Sequence, residues 1–280
     1  MKGIYSSEAG RERVLALYGR MLERWPVPAE HLRVPTREGE TFVLACGPSG
    51  AAPVVLLHGS GANSATWGGD VAQWSRDRRV YAVDLVGEAG LSAPSRPVLG
   101  SEAPALWLDD VLEGLGVERA AFVGLSLGGW TALDYAVRRP ERVERLALLC
   151  PAGIGRQTTA KWLPRFLVWR LFGRRGLRRS AAHVAGLGAP EHREALDFTV
   201  EVFSCFRPRT ERLPVFSDRE LAGLSVPVQV LVGERDAMID PRETLRRVRA
   251  HFPDAEAVLL PGVGHAVLGQ TEAVGRFLRA

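Results

Sequence analysis

Cysteine is scarce in this chain of 280 residues, occurring only at Cys46, Cys150 and Cys205. An odd count at no metal-like spacing argues against a disulfide framework and against a cysteine-held zinc site. It fits free thiols in a reducing compartment. Long apolar runs are also missing: no stretch reaches the roughly 18 apolar residues that a membrane helix needs. The opening MKGIYSSEAGRERVLALYGR has neither a long apolar centre nor a small-residue cleavage site, so it does not read as a secretion signal. The expectation is a cytoplasmic protein with no stable membrane insertion. Internal repeats and low-complexity linkers are absent as well.

Charge of one sign is not in large excess. Lys plus Arg total 36 against 32 for Asp plus Glu, a net charge of +4, and the pI near 9.3 reflects that small, mostly arginine surplus. Such a surplus does not call for a nucleic-acid partner. It is unevenly spread: Arg156, Lys161, Arg165, Arg170, Arg174, Arg175, Arg178 and Arg179 occur with no acid between them. The plain reading is a solvated helix face, and the sharper one a patch for an acidic substrate or a membrane surface.

What is present is an ordinary globular composition, 46% hydrophobic and 24% charged, in a chain long enough to bury a full core. Ser6 or Ser7 can cap a helix over residues 7–25, with Leu15, Leu17, Tyr18, Met21 and Leu22 on its apolar face. HLRVPTREGETFVLACG alternates around a turn at Glu38-Gly39, as an antiparallel hairpin does. The runs VVLLHG, RVYAVDLVG, AAFVGLS, RLALLC, VQVLVG and AVLLPG are nearly continuous apolar segments, the mark of strands covered on both faces. Helical segments separate most of them, one carrying Leu108, Val111, Leu112 and Leu115 inward and another opening at Pro241. Alternation of this kind predicts an α/β fold with a mostly parallel sheet. Between Cys150 and Pro227 lie about 75 residues, far more than an α/β connection needs. WLPRFLVWRLF and ALDFTVEVFSCF within them read as amphipathic helices, so the insert reads as a helical subdomain.

The chemistry centres on Gly124-Leu125-Ser126-Leu127-Gly128, a G-x-S-x-G sequence between a strand and a helix. A serine on so sharp a turn needs small neighbours two residues before and after it, and the turn lifts its hydroxyl to the helix N-terminus. A serine nucleophile needs a base, and the base an orienting carboxylate. Asp236 follows the strand VQVLVG, and His265 follows AVLLPG, giving the order Ser126, Asp236, His265. His31, His183, His192 and His251 lie at element ends or in the insert. Asp240, directly before Pro241, reads as a helix N-cap and is the weaker choice of acid. Asp84 ends a strand too early in the chain. Asp109 and Asp110 read as a solvated helix face. The loop His58-Gly59-Ser60-Gly61 follows the first apolar strand. Its Ser60 amide, with Gly61 second, and the Leu127 amide are the expected oxyanion donors. His58 is read as a buttress of that loop, Ser64 as the next helix cap, and Trp67 as packing or pocket wall.

Together HGSGANSATW, VYAVDLVGEAGLS, FVGLSLGGW, VGERDAMID and GVGHAVL span most of the chain. On them it resembles the α/β-hydrolase superfamily, in its lid-bearing carboxylesterase-like branch. The resemblance implies an eight-stranded, mostly parallel sheet flanked by helices. Residues 1–152 and 223–280 would form the core, and a helical cap at 153–222 would be inserted after strand 6. It implies a serine hydrolase of carboxylic esters acting on a small molecule, with no cofactor or metal. Many relatives carry D-x-x-G-x-G-x-S where this chain has DLVGEAGLS, with one more residue between the glycines, a change at the pocket rim. A carbon–carbon bond hydrolase of ring-cleavage dienoates, an acyltransferase or a perhydrolase would use the same three residues. A ligand receptor on the same fold is the reading from outside enzymes. The insert offers Trp162, Phe166, Trp169, Phe172, Phe198, Phe203 and Phe206 among its aromatics, and spacing does not say which face a pocket. Oligomeric state is not legible.

Overall fold

A computed structural model describes residues 3–158, 164, 168–169 and 171–280. Eight strands form one sheet: β1 (Ala29–Thr36), β2 (Gly39–Cys46), β3 (Pro53–Leu57), β4 (Arg79–Val83), β5 (Ala120–Leu125), β6 (Val143–Leu149), β7 (Val228–Gly233) and β8 (Glu256–Leu260). Their spatial order is β1-β2-β4-β3-β5-β6-β7-β8. β2 runs antiparallel to β1 and β4, and every pair from β4 to β8 is parallel. Among the described residues, the α-helices with defined bounds are α1 (Glu8–Glu23), α2 (Val71–Trp74), α3 (Ala103–Gly114), α4 (Leu127–Arg138), α5 (Gly173–Ala185), α6 (Arg193–Cys205), α7 (Asp218–Ala222), α8 (Pro241–His251) and α9 (Thr271–Arg279).

The two-residue period of the strands sorts the core into two layers. Val55, Leu57, Phe122, Leu146, Leu148 and Val230 face α3, α4 and α8 through Leu108, Leu112, Leu133 and Val248. Val54, Leu56, Ala121, Val123, Ala147 and Leu231 face α1, α2 and α9 through Tyr18, Trp74, Val274 and Leu278. Both faces are covered, as the continuous apolar runs imply. Among those apolar runs, β8 is the exception. As an edge strand it is half open, and Leu259 is 38% exposed.

Ser7 caps α1, its hydroxyl accepting from the Gly10 amide at 3.1 Å. Val14 and Tyr18 are its fully buried residues. The β1–β2 turn falls at Arg37-Glu38, one residue earlier than the sequence suggests, because Thr36 pairs with Gly39. Gly39 takes φ +98° as the first residue of β2. The cap expected at Ser64 belongs instead to Asn63, which accepts from the Ala65 amide at 3.2 Å. Asp109 and Asp110 are not simply solvated: Asp109 accepts from Tyr135 Oη at 2.8 Å, and Asp110 pairs with Arg37 at 2.7 Å.

Between β6 and β7 the chain carries α5, α6 and α7. α6 coincides with ALDFTVEVFSCF, whereas most of WLPRFLVWRLF, with Trp162 and Phe166, lies outside the described residues. α6 packs on the N-terminal segment: Ile4 and Val14 share a cluster with Phe198, Val202, Cys205 and Phe206. The basic run is partly neutralised by this helix, with Arg174 on Glu201 at 2.7 Å and Arg178 on Asp197. Arg156 pairs with Glu243 at 2.6 Å, and Lys161, Arg165 and Arg170 lie outside the described residues. No described helix is long and apolar enough to cross a membrane.

Candidate active site

The carboxyl ends of β3, β5, β7 and β8 lie along one edge of the sheet, and each is followed by a loop that carries one part of the site. Ser126 follows β5 directly and precedes α4. Its φ of +52° and ψ of −107° are a strained conformation for a residue with a side chain. Backbone crowding explains the flanking glycines. A Cβ on Gly124 would lie 2.5 Å from the Gly128 carbonyl oxygen, and one on Gly128 would lie 2.0 Å from that of Leu57. Gly129 faces the looser contact, 3.1 Å from Gly124 O and Pro151, where α4 packs on the sheet.

His265 Nε2 lies 2.9 Å from Ser126 Oγ, and its Nδ1 lies 2.7 Å from Asp236 Oδ2. The other Asp236 oxygen accepts from the amides of Met238 at 2.7 Å and Ile239 at 3.0 Å. Burial by itself would raise this carboxyl. The His265 ring and the two amides outweigh burial and hold it below the ordinary aspartate value. An ionised carboxylate only accepts, so Nδ1 carries the ring proton and Nε2 keeps its lone pair toward the serine hydroxyl.

The competing acids are accounted for. Asp240 caps α8, accepting from the Glu243 amide at 3.1 Å. Asp84 is fully buried and accepts from Tyr18 Oη at 2.9 Å, Ser64 N at 2.8 Å, Ser64 Oγ at 2.6 Å and Leu91 N at 2.8 Å. It ties α1, the loop after β3 and the loop after β4 together.

His58 buttresses its loop. Its Nε2 accepts from the Leu85 amide at 2.9 Å, which leaves the proton on Nδ1 to be donated to Gly59 O at 2.8 Å. Complete burial lowers its pKa and keeps the ring neutral. Trp67 is buried packing against Trp74. Among the described residues neither the Ser60 amide nor the Leu127 amide has a backbone or side-chain acceptor. The Gly61 amide, the second choice from sequence, is engaged: it donates to Glu88 Oε2 at 2.6 Å. Glu88 matches none of the sequence motifs. Its one signal is its position inside the lengthened DLVGEAGLS segment. The ring tip of Phe203, on α6, packs against Gly61, where an added Cβ would meet its Cζ at 2.7 Å.

Among the described residues, one group of possible metal ligands gathers, Cys150, Asp236 and His265, with donor atoms within 4.8 Å of one another. The hydrogen bond between His265 and Asp236 already occupies two of the donors. Burial, then the Asp236 charge, push the Cys150 thiol well above its ordinary value, away from the thiolate a metal would need.

A parallel sheet with an antiparallel start, a strained serine at a strand–helix turn, and a histidine and an aspartate from later loops together have the arrangement of an α/β-hydrolase. Residues 54–277 match the model of the alpha/beta hydrolase family, and the chain belongs to that family. It is 32% identical over 288 residues to the uncharacterised carboxylesterase nap of Bacillus subtilis (strain 168), across 96% of this chain and 93% of the relative. The crystal structure of naproxen esterase (carboxylesterase NP) from Bacillus subtilis superposes with a TM-score of 0.81 at 30% identity. That match spans 98% of this chain and 97% of the other. A 2-hydroxy-6-oxo-2,4-heptadienoate hydrolase of Pseudomonas putida is 38% identical over 114 residues, which is 38% of this chain and 40% of that protein.

Proposed function

We propose that this protein hydrolyses small carboxylic esters by two-step acyl transfer at Ser126. The observation that carries the reading is the unbroken chain from Ser126 Oγ through the His265 ring to Asp236, with bonds of 2.9 and 2.7 Å. As Oγ attacks the ester carbonyl, His265 Nε2 takes its proton, and Asp236 stabilises the imidazolium. The carbonyl oxygen gathers negative charge and is received by the amides of Ser60 and Leu127, the latter at the N-terminus of α4, where the helix dipole adds to the hydrogen bond. His265 then protonates the leaving alcohol. Water, activated by the same ring, releases the acid and restores the serine. No step needs a metal or a cofactor.

Residues 153–222 act as a cap over this site in our reading, and residues 1–152 with 223–280 as the core. Support comes from Phe203, which the insert brings against the Ser60–Gly61 loop. We place the protein in the cytoplasm, in keeping with three buried cysteines that are all free.

The short match to the dienoate hydrolase favours a second reading, carbon–carbon bond cleavage with the same three residues. It spans about two fifths of the chain, whereas the likeness to carboxylesterases is end to end, so the ester reading leads. A series of p-nitrophenyl esters of rising chain length, assayed beside a ring-cleavage dienoate, decides between them. Ester turnover is expected, with Ser126→Ala slower by about 10⁴-fold or more. Turnover intact in purified Ser126→Ala, or a clear preference for the dienoate, would overturn the proposal.

A further inference from the structure

Glu88 is a buried carboxylate beside the site with no part in the acyl transfer. It is 1% exposed. Its Oε2 accepts from the Gly61 amide at 2.6 Å and from Ser60 Oγ at 3.2 Å, so a single oxygen grips two consecutive residues of the loop after β3. Its Oε1 has no hydrogen-bond partner among the described residues. The nearest cation is Arg209 Nε at 3.9 Å, beyond hydrogen-bonding reach. A buried charge left half satisfied costs stability that a neutral side chain of the same shape would not. Sites that keep such a group against stability are sites where charge is used.

We infer that Glu88 is a positioning residue: its carboxylate clamps the Ser60–Gly61 loop from behind and holds the Ser60 amide toward the oxygen of the attacked carbonyl. The inference rests on the reading of Ser60 as an oxyanion donor. With the Gly61 amide engaged by Glu88, Ser60 is the remaining of the two donors expected from this loop, and the clamp holds its residue directly. Misplacing such a donor by an ångström costs on the order of a hundredfold in rate.

The clamp depends on ionisation, because a neutral carboxyl oxygen is a poorer acceptor for both bonds. Burial raises Glu88 to about 7, opposed by the Gly61 amide, Arg209, Arg96 and Ser60. The charged and titratable groups facing it are Arg209 from the segment after α6, Arg96 from the loop after β4, and Tyr5 from the N-terminal segment. Arg209 is shared with Glu211, and Arg96 donates to the Arg207 carbonyl. The carboxylate is therefore half protonated near neutral pH, and the loop tightens as pH rises through that range.

The test compares wild type, Glu88→Gln and Glu88→Ala on p-nitrophenyl butyrate between pH 6 and 8.5, with the melting temperature read at each pH. Glu88→Gln imitates the protonated form. Its kcat is expected to approach that of wild type at pH 6 and to fall about tenfold below it at pH 8.5. KM should stay within threefold, and the melting temperature at pH 8.5 should not drop. Glu88→Ala removes the clamp, and its kcat should be ten- to a hundredfold down at pH 8.5, with a smaller loss at pH 6. A wild-type to Gln ratio of kcat that stays near one throughout would overturn the inference. So would losses that appear in KM instead of kcat, or that follow a fall in melting temperature as a merely structural role requires. Ser126→Ala run alongside separates the two readings. An active Ser126→Ala defeats the acyl-transfer reading itself, while an inactive one beside an unaffected Glu88→Gln defeats only the clamp.

Discussion

Ser126 holds a backbone conformation that residues with side chains rarely adopt, and the crowding around it explains why. Gly128 tolerates no side chain, because its α-carbon sits against the end of β3. Gly128→Ala would place a methyl group 2.0 Å from Leu57 O, so α4 must move off the sheet. The expected result is a loss of about 2 kcal/mol or more in urea unfolding, with little ester turnover remaining. At the same scale Glu88 gives stability a pH dependence. Its folded value of about 7 lies above the ordinary 4.5, so the folded form binds more protons between those values. The stability it contributes is complete below about pH 4.5 and is lost as pH rises through 7, a change of about 3 kcal/mol. Glu88→Gln should gain that amount on wild type between pH 4.5 and 8. Asp134, which burial raises to about 6, acts in both proteins and cancels from the difference.

Elements were legible where one local rule decides them. The strands announced themselves as apolar runs, α8 by Asp240 and Pro241, and α1 by the pair Ser6 and Ser7, of which the structure uses Ser7. The β1–β2 turn slipped by one residue because pairing of Thr36 with Gly39 sets the register, and that pairing is a contact between strands. Ser64 yielded the cap to Asn63 because its hydroxyl and amide are drawn to Asp84, which lies 20 residues further along the chain. The same carboxylate fastens α1 to the sheet through Tyr18. Tyr18→Phe leaves Asp84 its bonds from Ser64 and Leu91 but removes one buried hydrogen bond. A loss of about 1–2 kcal/mol is expected in urea unfolding, with kcat little changed.

At the scale of the molecule, the parallel order β4-β3-β5-β6-β7-β8 brings four loops to one edge, and the insert between β6 and β7 supplies α6 beside them. Phe203 is the aromatic of α6 that reaches the loop after β3, whereas Phe198 and Phe206 pack on the N-terminal segment. Replacing Phe203 with Ala opens space next to that loop. The ester series should then shift toward bulkier groups, read as a change in the ratio of kcat/KM for long and short p-nitrophenyl esters.

The sequence by itself determined the sheet's strands and the order Ser126, Asp236, His265. Each of these depends on residues adjacent in the chain: an apolar run, a turn glycine, a loop after a strand. Tertiary structure decided the rest. Whether Asp84 is an acid or an anchor, whether Gly61 can offer its amide, and what Glu88 grips all depend on which donor stands opposite. A carboxylate takes its role from the groups that surround it, and at this site they arrive from strands and helices distant in sequence, brought together only when the crossovers close the sheet.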